Sequence, residues 1–341
     1  MKKYLERQRG VLALTEQISI IQAKILKELL ADGRQTDNEI AKKIGETKDS
    51  VKKNLRKMEE TGIIGGATIH INYKSFGYKA VAHILINLDS QQEDQLVNYL
   101  QKMPEVYSFY NRGVKGNWDV ITIIKTLEQL NVIKDQFKRH FSILEMRTAI
   151  WTDVKEMNYN LTITNENTKT RDAADNYQVK VQRGSPKSMT LDQVDLKISD
   201  KLSENGRVPM ETLGREIGIS SYTVKRRYEK LKKNGVLKVT IQVNPNKIGY
   251  QAMCVFFTVT SHENSFAIIE KISMIPNIIS IMKTTGDYDL QIWAMIKDLG
   301  QFFSVQEQLG KIQGITKMDT EMWSLEKWEK WPSPRQYIST F

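Results

Sequence analysis

In the stretch Ser220-Ser221-Tyr222-Thr223-Val224-Lys225-Arg226-Arg227-Tyr228-Glu229-Lys230, hydroxyls and a phenol ring precede a dense run of cations. Read as a helix, it turns Val224 and Leu231 to one face and most of its polar groups to the other. Such a surface suits a nucleic-acid duplex. Side chains in the first turns of a helix can hydrogen-bond base edges in the major groove, and lysines and arginines neutralise phosphates. Ser221, Tyr222, Thr223 and Arg226 are therefore candidate base readers, with Ser220 beside them at the helix start. Lys225, Arg227, Lys230, Lys232 and Lys233 are candidate phosphate contacts, which set affinity and register without reading sequence. A weaker copy of the pattern holds Thr47, Lys48, Ser50, Lys52, Lys53, Arg56 and Lys57, diluted by Asp49, Glu59 and Glu60. The competing readings are a solvated basic helix face for the second set and a spacing or dimerisation element for the first.

Each set needs a scaffold that turns it outward, and the sequence supplies the same scaffold twice. Val194, Ile198, Leu202, Gly206, Leu213, Ile217, Gly218, Val224, Leu231 and Gly235 repeat Ile21, Ile25, Leu29, Gly33, Ile40, Ile44, Gly45, Val51, Met58 and Gly62 at one constant offset. Helical spacing predicts a helix around Ile21–Leu29 that ends near Gly33, a second over Asp37–Ile44 and a third to about Glu60. Thr36 or Asp37 can cap the second, and Gly45 can take the left-handed turn that ends it. The second copy predicts helices near Leu191–Ser203, Pro209–Ile217 and Ser220–Asn234. A short helix, a glycine turn and a longer basic helix form the helix-turn-helix pattern.

Past Gly62 the period becomes alternating. Ile63–Ile71 reads as extended chain with a hairpin through Gly65 and Gly66 as one option, and Tyr73–Tyr78 as a turn. Then come a strand (Lys79–Leu88), a helix (Gln91–Met103), two strands (Tyr107–Val114, Asp119–Thr126), a helix (Glu128–Phe141) and a strand (Met146–Val154). The second copy follows with strands Val236–Val243 and Gln251–Thr260, helix Ser265–Met274, strands Ile278–Thr285 and Leu290–Ile296, helix Gly300–Leu309 and strand Thr316–Leu325. The predicted fold class is α+β: two copies of a winged helix-turn-helix followed by a ferredoxin-like βαββαβ domain. The expected division is 1–64, 65–160, a linker over 161–189, 190–238, 239–327 and a tail over 328–341. The tail, with Trp328, Trp331, Pro332 and Pro334, is expected to have no counterpart in the first half. Both helices of each four-stranded sheet lie on one side, so the other face needs a partner within the chain or from another chain. Trp151 and Trp323, at matching places in the last strands, are expected to bury against it.

Composition narrows the function classes. The 341 residues carry 50 Lys and Arg against 40 Asp and Glu, a net charge of +10, which favours a polyanionic partner without choosing one. Cys254 is the single cysteine, so no intrachain disulfide can form, and a reducing, cytoplasmic setting is expected. No apolar run approaches the roughly 20 residues of a membrane span. His70, His83, His140 and His262 lack metal-ligand spacing, and phosphate-binding glycine loops, nucleophile elbows and dinucleotide fingerprints are absent from the sequence. No catalytic residue, metal or cofactor is expected on the first reading.

This order of elements, with Gly286-Asp287-Tyr288-Asp289 between two central strands, resembles the Lrp/AsnC, or feast/famine, regulators. The first copy has Gly116-Asn117-Trp118-Asp119 instead. The resemblance implies a transcription regulator that binds double-stranded DNA and forms homo-oligomers through its ferredoxin-like domains. It also implies an amino-acid effector near the turn, with Thr284, Thr285, Gly286, Asp287 and Asp289 as candidates. Gly286 needs no ligand to explain it, since tight turns favour glycine. Two alternatives stay open. Paired Lrp-like subunits also form sirohaem decarboxylases, for which His83, His140, Arg112 and Arg147 are the candidate residues here. A DNA-architectural protein with little sequence preference is the other.

Overall fold

The computed structural model describes residues 18–112, 114–157, 160–163, 189–261, 265–325 and 334–339. The lead before Ile18, most of the expected linker, His262, Trp328, Trp331 and Pro332 lie outside them. In the first head, α1 (Ile20–Ala31), α2 (Asp37–Ile44) and α3 (Lys48–Glu60) start at Ser19, Thr36 and Thr47, whose hydroxyls accept backbone N–H groups of the first turn. The second head repeats it with α6 (Gln193–Glu204), α7 (Met210–Ile217) and α8 (Ser221–Lys233). Gly45 and Gly218 end the middle helices in the left-handed region. The helices between the heads, taken up below, are α4 (Glu93–Leu100) and α5 (Leu127–His140).

After each head comes a strand, β1 (Ile64–Ile71) and β6 (Leu237–Val243), and these pair with each other in antiparallel register, Ile69 facing Val239 and Ile71 facing Leu237. The option of a hairpin through Gly65 and Gly66 is thereby replaced by a ribbon between the two halves, with those glycines at a register shift between Ile64 and Ala67. Each head leans on the other half's strand. Gly33 N–H donates to Val239 O at 2.9 Å and Gly206 N–H to Ala67 O at 3.1 Å, while Thr240 and Thr68 hydroxyls reach Leu30 O and Ser203 O. The next residues exchange guanidinium groups: Arg34 donates to Gly206 O (2.7 Å) and Val208 O (2.9 Å), and Arg207 to Gly33 O (3.0 Å).

The remaining strands are β2 (Ala80–Leu88), β3 (Val106–Asn111), β4 (Asn117–Ile124), β5 (Ile143–Glu156), β7 (Ala252–Thr260), β8 (Ile278–Thr285), β9 (Leu290–Ile296) and β10 (Ile315–Ser324). They form one sheet in the order β10-β7-β9-β8-β5-β2-β4-β3. Each half contributes a ferredoxin-like four, and β5 and β8 join them. The open faces are covered within the chain, because the sheet curls until its outer strands approach: Tyr110 stacks on Trp323 at 6.0 Å, and Arg112 meets Glu321 at 2.7 Å. Trp293 lies between Trp151 and Trp323, edge to face with both; Trp151 thus meets the opposing sheet through Trp293, and Trp323 meets it through Tyr110. The helical layers, α4 and α5 on one side and α9 (Ser265–Ser273) and α10 (Leu299–Gly310) on the other, seal two outer cores.

Both sheets send their tails across. After β5, Asn160 donates to Ile275 O and Ile278 O of the second half, and Thr162 O accepts from the Tyr250 hydroxyl. After β10, the short helix α11 (Arg335–Ser339) sets Tyr337 against Tyr73, Tyr78 and Tyr107 of the first half, and Gln336 donates to Val106 O. The C-terminal tail thus has a structural counterpart in 160–163, which sequence comparison missed because the two tails share a destination and not a residue pattern. The ribbon makes a steric prediction. A Cβ on Gly206 would stand 2.8 Å from Thr68 O, which is backbone and cannot rotate away. Gly206→Ala should therefore cost about 1–3 kcal/mol, seen as a lower thermal unfolding midpoint; an unchanged midpoint would show that the heads dock loosely.

Candidate nucleic-acid interface

Helix α8 is held by three buried residues, Val224, Tyr228 and Leu231, and α3 by their counterparts Val51, Leu55 and Met58. Tyr228 was not foreseen as a core residue; its phenol ring lies under Arg34, whose guanidinium carbon is 5.5 Å from the ring centre. The hydroxyls at the helix start are engaged by the helix itself. Ser220 Oγ accepts from Thr223 N–H at 3.1 Å and lies 2.9 Å from Thr223 Oγ1. In the first head Thr47 caps in the same way, receiving Ser50 N–H at 3.1 Å.

The cations divide into two groups. Arg227 pairs with Asp192 and, at 3.2 Å, with Asp195, both at the start of α6, and Lys232 pairs with Asp32 of the first head at 2.7 Å. These two candidate phosphate contacts therefore hold the head together. Lys225, Arg226, Lys230 and Lys233 are exposed, as is Tyr222, 75% accessible. Ser221 is half-buried and, with Tyr222 and Lys225, lines a cleft of about 1950 Å³ between the heads and the sheets. On α3, Lys48, Lys52, Lys53 and Lys57 are exposed, Ser50 is half-buried, and Arg56 is paired with Glu60 at 2.7 Å. Leaving aside the Arg56–Glu60 pair, each helix thus exposes four cations, and the helices differ in the acids beside them, Asp49 and Glu59 on α3 against Glu229 on α8.

The five candidate effector residues share one turn, yet most of their polar groups hold it. Thr284 donates its hydroxyl to Tyr288 O at 2.6 Å and its N–H to Asp289 O at 2.8 Å. Asp289 Oδ2 accepts from Thr260 N–H at 2.7 Å. Gly286 has φ +128°. Thr285 and Asp287 stay exposed, and none of the five lines the large cleft.

Strand registers also revise the comparison of the two turns. Leu85 and Phe257 lie at matching distances from Tyr78 and Tyr250; Leu85 faces Asp119 and Phe257 faces Gln291. The structural counterpart of Asp119 is thus Gln291, and that of Asp289 is Asn117. Sequence similarity had aligned the motifs two residues out of register, although the two turns have the same length, Arg112 N–H closing on Asn117 O as Thr284 N–H closes on Asp289 O.

Of the four enzyme candidates only His83 and Arg112 come together, both against Asp119. His83 is fully buried between the sheets, whereas His140 ends α5 on the outer layer beside Tyr99. Arg112 is taken by Asp119 and Glu321, and Arg147 pairs with Glu145 at the surface. Among the described residues no cluster of His, Cys, Asp and Glu could hold a metal ion, and no helix is long and apolar enough to cross a membrane.

Two three-helix heads with exposed basic third helices, mounted on ferredoxin-like sheets, define a helix-turn-helix protein of duplicated type. Residues 191–232 match the AsnC-type helix-turn-helix domain, 18–64 the winged helix-turn-helix DNA-binding family, and 253–326 the Lrp/AsnC ligand binding domain. The chain belongs to the Lrp/AsnC family. It is 30% identical to the HTH-type transcriptional regulator LrpA of Pyrococcus horikoshii over 132 residues, 38% of this chain and 92% of that protein. It is 28% identical to the HTH-type transcriptional regulator FL11 of Pyrococcus furiosus over 126 residues, 37% of this chain and 83% of the relative. Either relative thus corresponds to about one of the two copies. Over its whole length the fold is similar to the siroheme decarboxylase NirDL, with a TM-score of 0.60 and 14% identity across 94% of this chain and 96% of that one.

The division of α8 cations is open to measurement. Arg227→Ala would take from the Asp195 carboxylate, 2% exposed, its cation and leave it only the Asp192 N–H at 3.4 Å, and should cost about 1–3 kcal/mol, whereas Arg226→Ala should leave the unfolding midpoint unchanged. The backbone N–H of Asp195 chiefly, and then Arg227, hold the Asp192 carboxyl below its ordinary 3.8. Its contribution is complete above about pH 4 and is lost as pH falls through the lowered value. The difference in unfolding midpoint between wild type and Arg227→Ala should therefore persist from neutrality down to that pH and shrink below it; a difference already lost near neutrality would contradict the pairing.

Proposed function

We propose that this chain is a sequence-specific transcription regulator of double-stranded DNA, in which one polypeptide carries two unlike reading heads. The observation that carries the reading is the coupling of two exposed third helices, α3 and α8, through the β1–β6 ribbon and the reciprocal Arg34 and Arg207 contacts. On α8 the proposed base contacts are Tyr222, Arg226 and the first-turn residues Ser220, Ser221 and Thr223, with Lys225 and Lys230 on phosphates. On α3 they are Thr47, Ser50 and Lys53, with Lys48, Lys52 and Arg56 nearby. Since Tyr222 corresponds to Asp49 and Arg226 to Lys53, the preferred site is asymmetric. The functional units follow the divisions 1–64, 65–160, 190–238 and 239–327, and the setting is cytoplasmic.

An amino-acid effector at the 284–289 turn is part of the proposal. Thr285, Asp287 and the Gly286 backbone are its available contacts. Chains associate, on this reading, through the outer layers of the ferredoxin-like domains, where Leu127, Val132, Leu299 and Phe303 are exposed. The decarboxylase reading has the whole-chain fold likeness in its favour, but of its four candidates only His83 and Arg112 meet, both against Asp119, while His140 and Arg147 lie apart from them.

Selection of bound duplexes from a random pool tests the proposal. Wild-type protein should return a non-palindromic consensus. Arg226→Ala should relax one position by about 1–3 kcal/mol, and Lys53→Ala should act on the other half-site. Uniform weakening with a shallower salt slope would reassign Arg226 to phosphate, and absence of duplex binding at low salt by folded protein would end the regulator reading. A visible absorption band on adding iron-uroporphyrin would instead favour the enzyme.

A further inference from the structure

Between the sheets, the buried His83, Asp119 and Gln291 and the half-buried Arg112 and Glu321 form a chain of polar contacts that crosses from one half to the other. His83 Nδ1 lies 3.1 Å from Gln291 Oε1, and its Nε2 3.4 Å from Asp119 Oδ2. Arg112 Nε lies 3.3 Å from Asp119 Oδ1, and its Nη1 donates to Glu321 Oε1 at 2.7 Å. Trp151 Nε1–H also reaches Gln291 Oε1, at 3.0 Å. His83, Asp119 and Gln291 are each at most 1% exposed.

The counterparts of these residues in the other half differ in kind. Arg112 N–H bonds to Asn117 O as Thr284 N–H bonds to Asp289 O, so Thr284 is the counterpart of Arg112. His83 faces Ala149 as Val255 faces Glu321, which makes Val255 the counterpart of His83 and Ala149 that of Glu321. Two first halves placed face to face would set Arg112 opposite Ala149 and bring a second Asp119 against His83 where Gln291 now stands. Two second halves would set Glu321 opposite Thr284. The first arrangement leaves Arg112 only Asp119 of its own half and sets a second buried carboxylate against His83, and the second leaves Glu321, partly shielded between the sheets, without its cation; both are destabilising.

We infer that this cluster is a pairing code: the inner face of the first ferredoxin-like sheet accepts the second sheet and rejects another copy of itself. The surface is therefore specific for a second-half partner, and fusion keeps that partner in the same chain. This rests on no DNA contact, so it can fail or hold independently of the regulator reading.

Engineered cysteines in the full-length protein read the pairing directly. Asp153 faces Lys283 across β5 and β8. D153C/K283C should therefore form a disulfide on mild oxidation. In a first-to-first pair, Asn111, the counterpart of Lys283, would take that place, so D153C/N111C should give no cross-linked species on a non-reducing gel. Within one half the two positions lie on opposite outer strands, so any such cross-link must join two chains and would overturn the inference. A substitution cycle tests the code itself. R112T and E321A, each importing the counterpart residue, should lower the unfolding midpoint singly, and the double variant should lose clearly less than the sum of the two, without regaining the wild-type midpoint because Asp119 also loses Arg112. Additive losses would show that the two residues do not act as a pair and would refute it.

Discussion

The antiparallel pairing of β1 with β6 is the constraint from which the rest of the architecture follows. A two-stranded ribbon is weak by itself, but here both strands also bond to the heads. Val239 O receives Gly33 N–H, Ala67 O receives Gly206 N–H, and the hydroxyls of Thr68 and Thr240 take carbonyls at the ends of α6 and α1. Antiparallel register makes these contacts reciprocal, so each head rests on the strand of the opposite half. Neither head can rotate without breaking bonds in both. The ribbon also sets the entry angle of both sheets, since matching turns at Asn72–Gly77 and Asn244–Gly249 lead from it into β2 and β7.

Much of this was legible in the sequence because local physics determines it. Apolar spacing, hydroxyl caps and glycine C-caps sufficed for the six head helices, and alternation sufficed for both βαββαβ units. What escaped was set by residues far apart in the chain. The dipeptides Gly33-Arg34 and Gly206-Arg207 occupy matching places in the repeat, and that coincidence was the available sign of head-to-head docking. A helix-ending glycine explains itself locally, however, and conceals the second demand placed on it by the backbone of Thr68 or Thr240. Arg227 shows the same limit for the interface. Within the run Lys225-Arg226-Arg227 nothing distinguishes the cation that will meet Asp192 from its neighbours, because that choice depends on where α6 begins.

Duplication within one chain releases the halves from a rule that binds a homodimer, in which every interface residue must suit its own symmetry mate. The scaffold positions have kept their types: Val51 and Val224, Thr47 and Ser220, Gly45 and Gly218. The outward positions have diverged, with Asp49 against Tyr222 and Asn54 against Arg227. Divergence in the sheets is greater still, since a buried His, Asp and Arg on one side answer a Val, Gln and Thr on the other. Such a polar core adds less stability than apolar packing of the same volume, and what it supplies is discrimination.

One apolar cluster runs without a break from the head helices, through the ribbon, to the facing sheets, and includes Ile25, Leu202, Val239, Leu85, Phe257 and Trp293. The helix-covered outer cores are separate from it. Heads and inner sheet faces therefore share packing, while the outer layers do not. A change at the outer helices has to cross a sheet before it reaches a head. A change that alters how the two sheets meet acts on the core that orients α3 and α8. Any small molecule that regulates this protein gains leverage only by favouring one sheet-to-sheet arrangement over another. The turn at Gly286 stands where that leverage exists, because Thr285 pairs with Ile150 and the position of a Gly286 Cβ would touch Thr148 O of the opposite half.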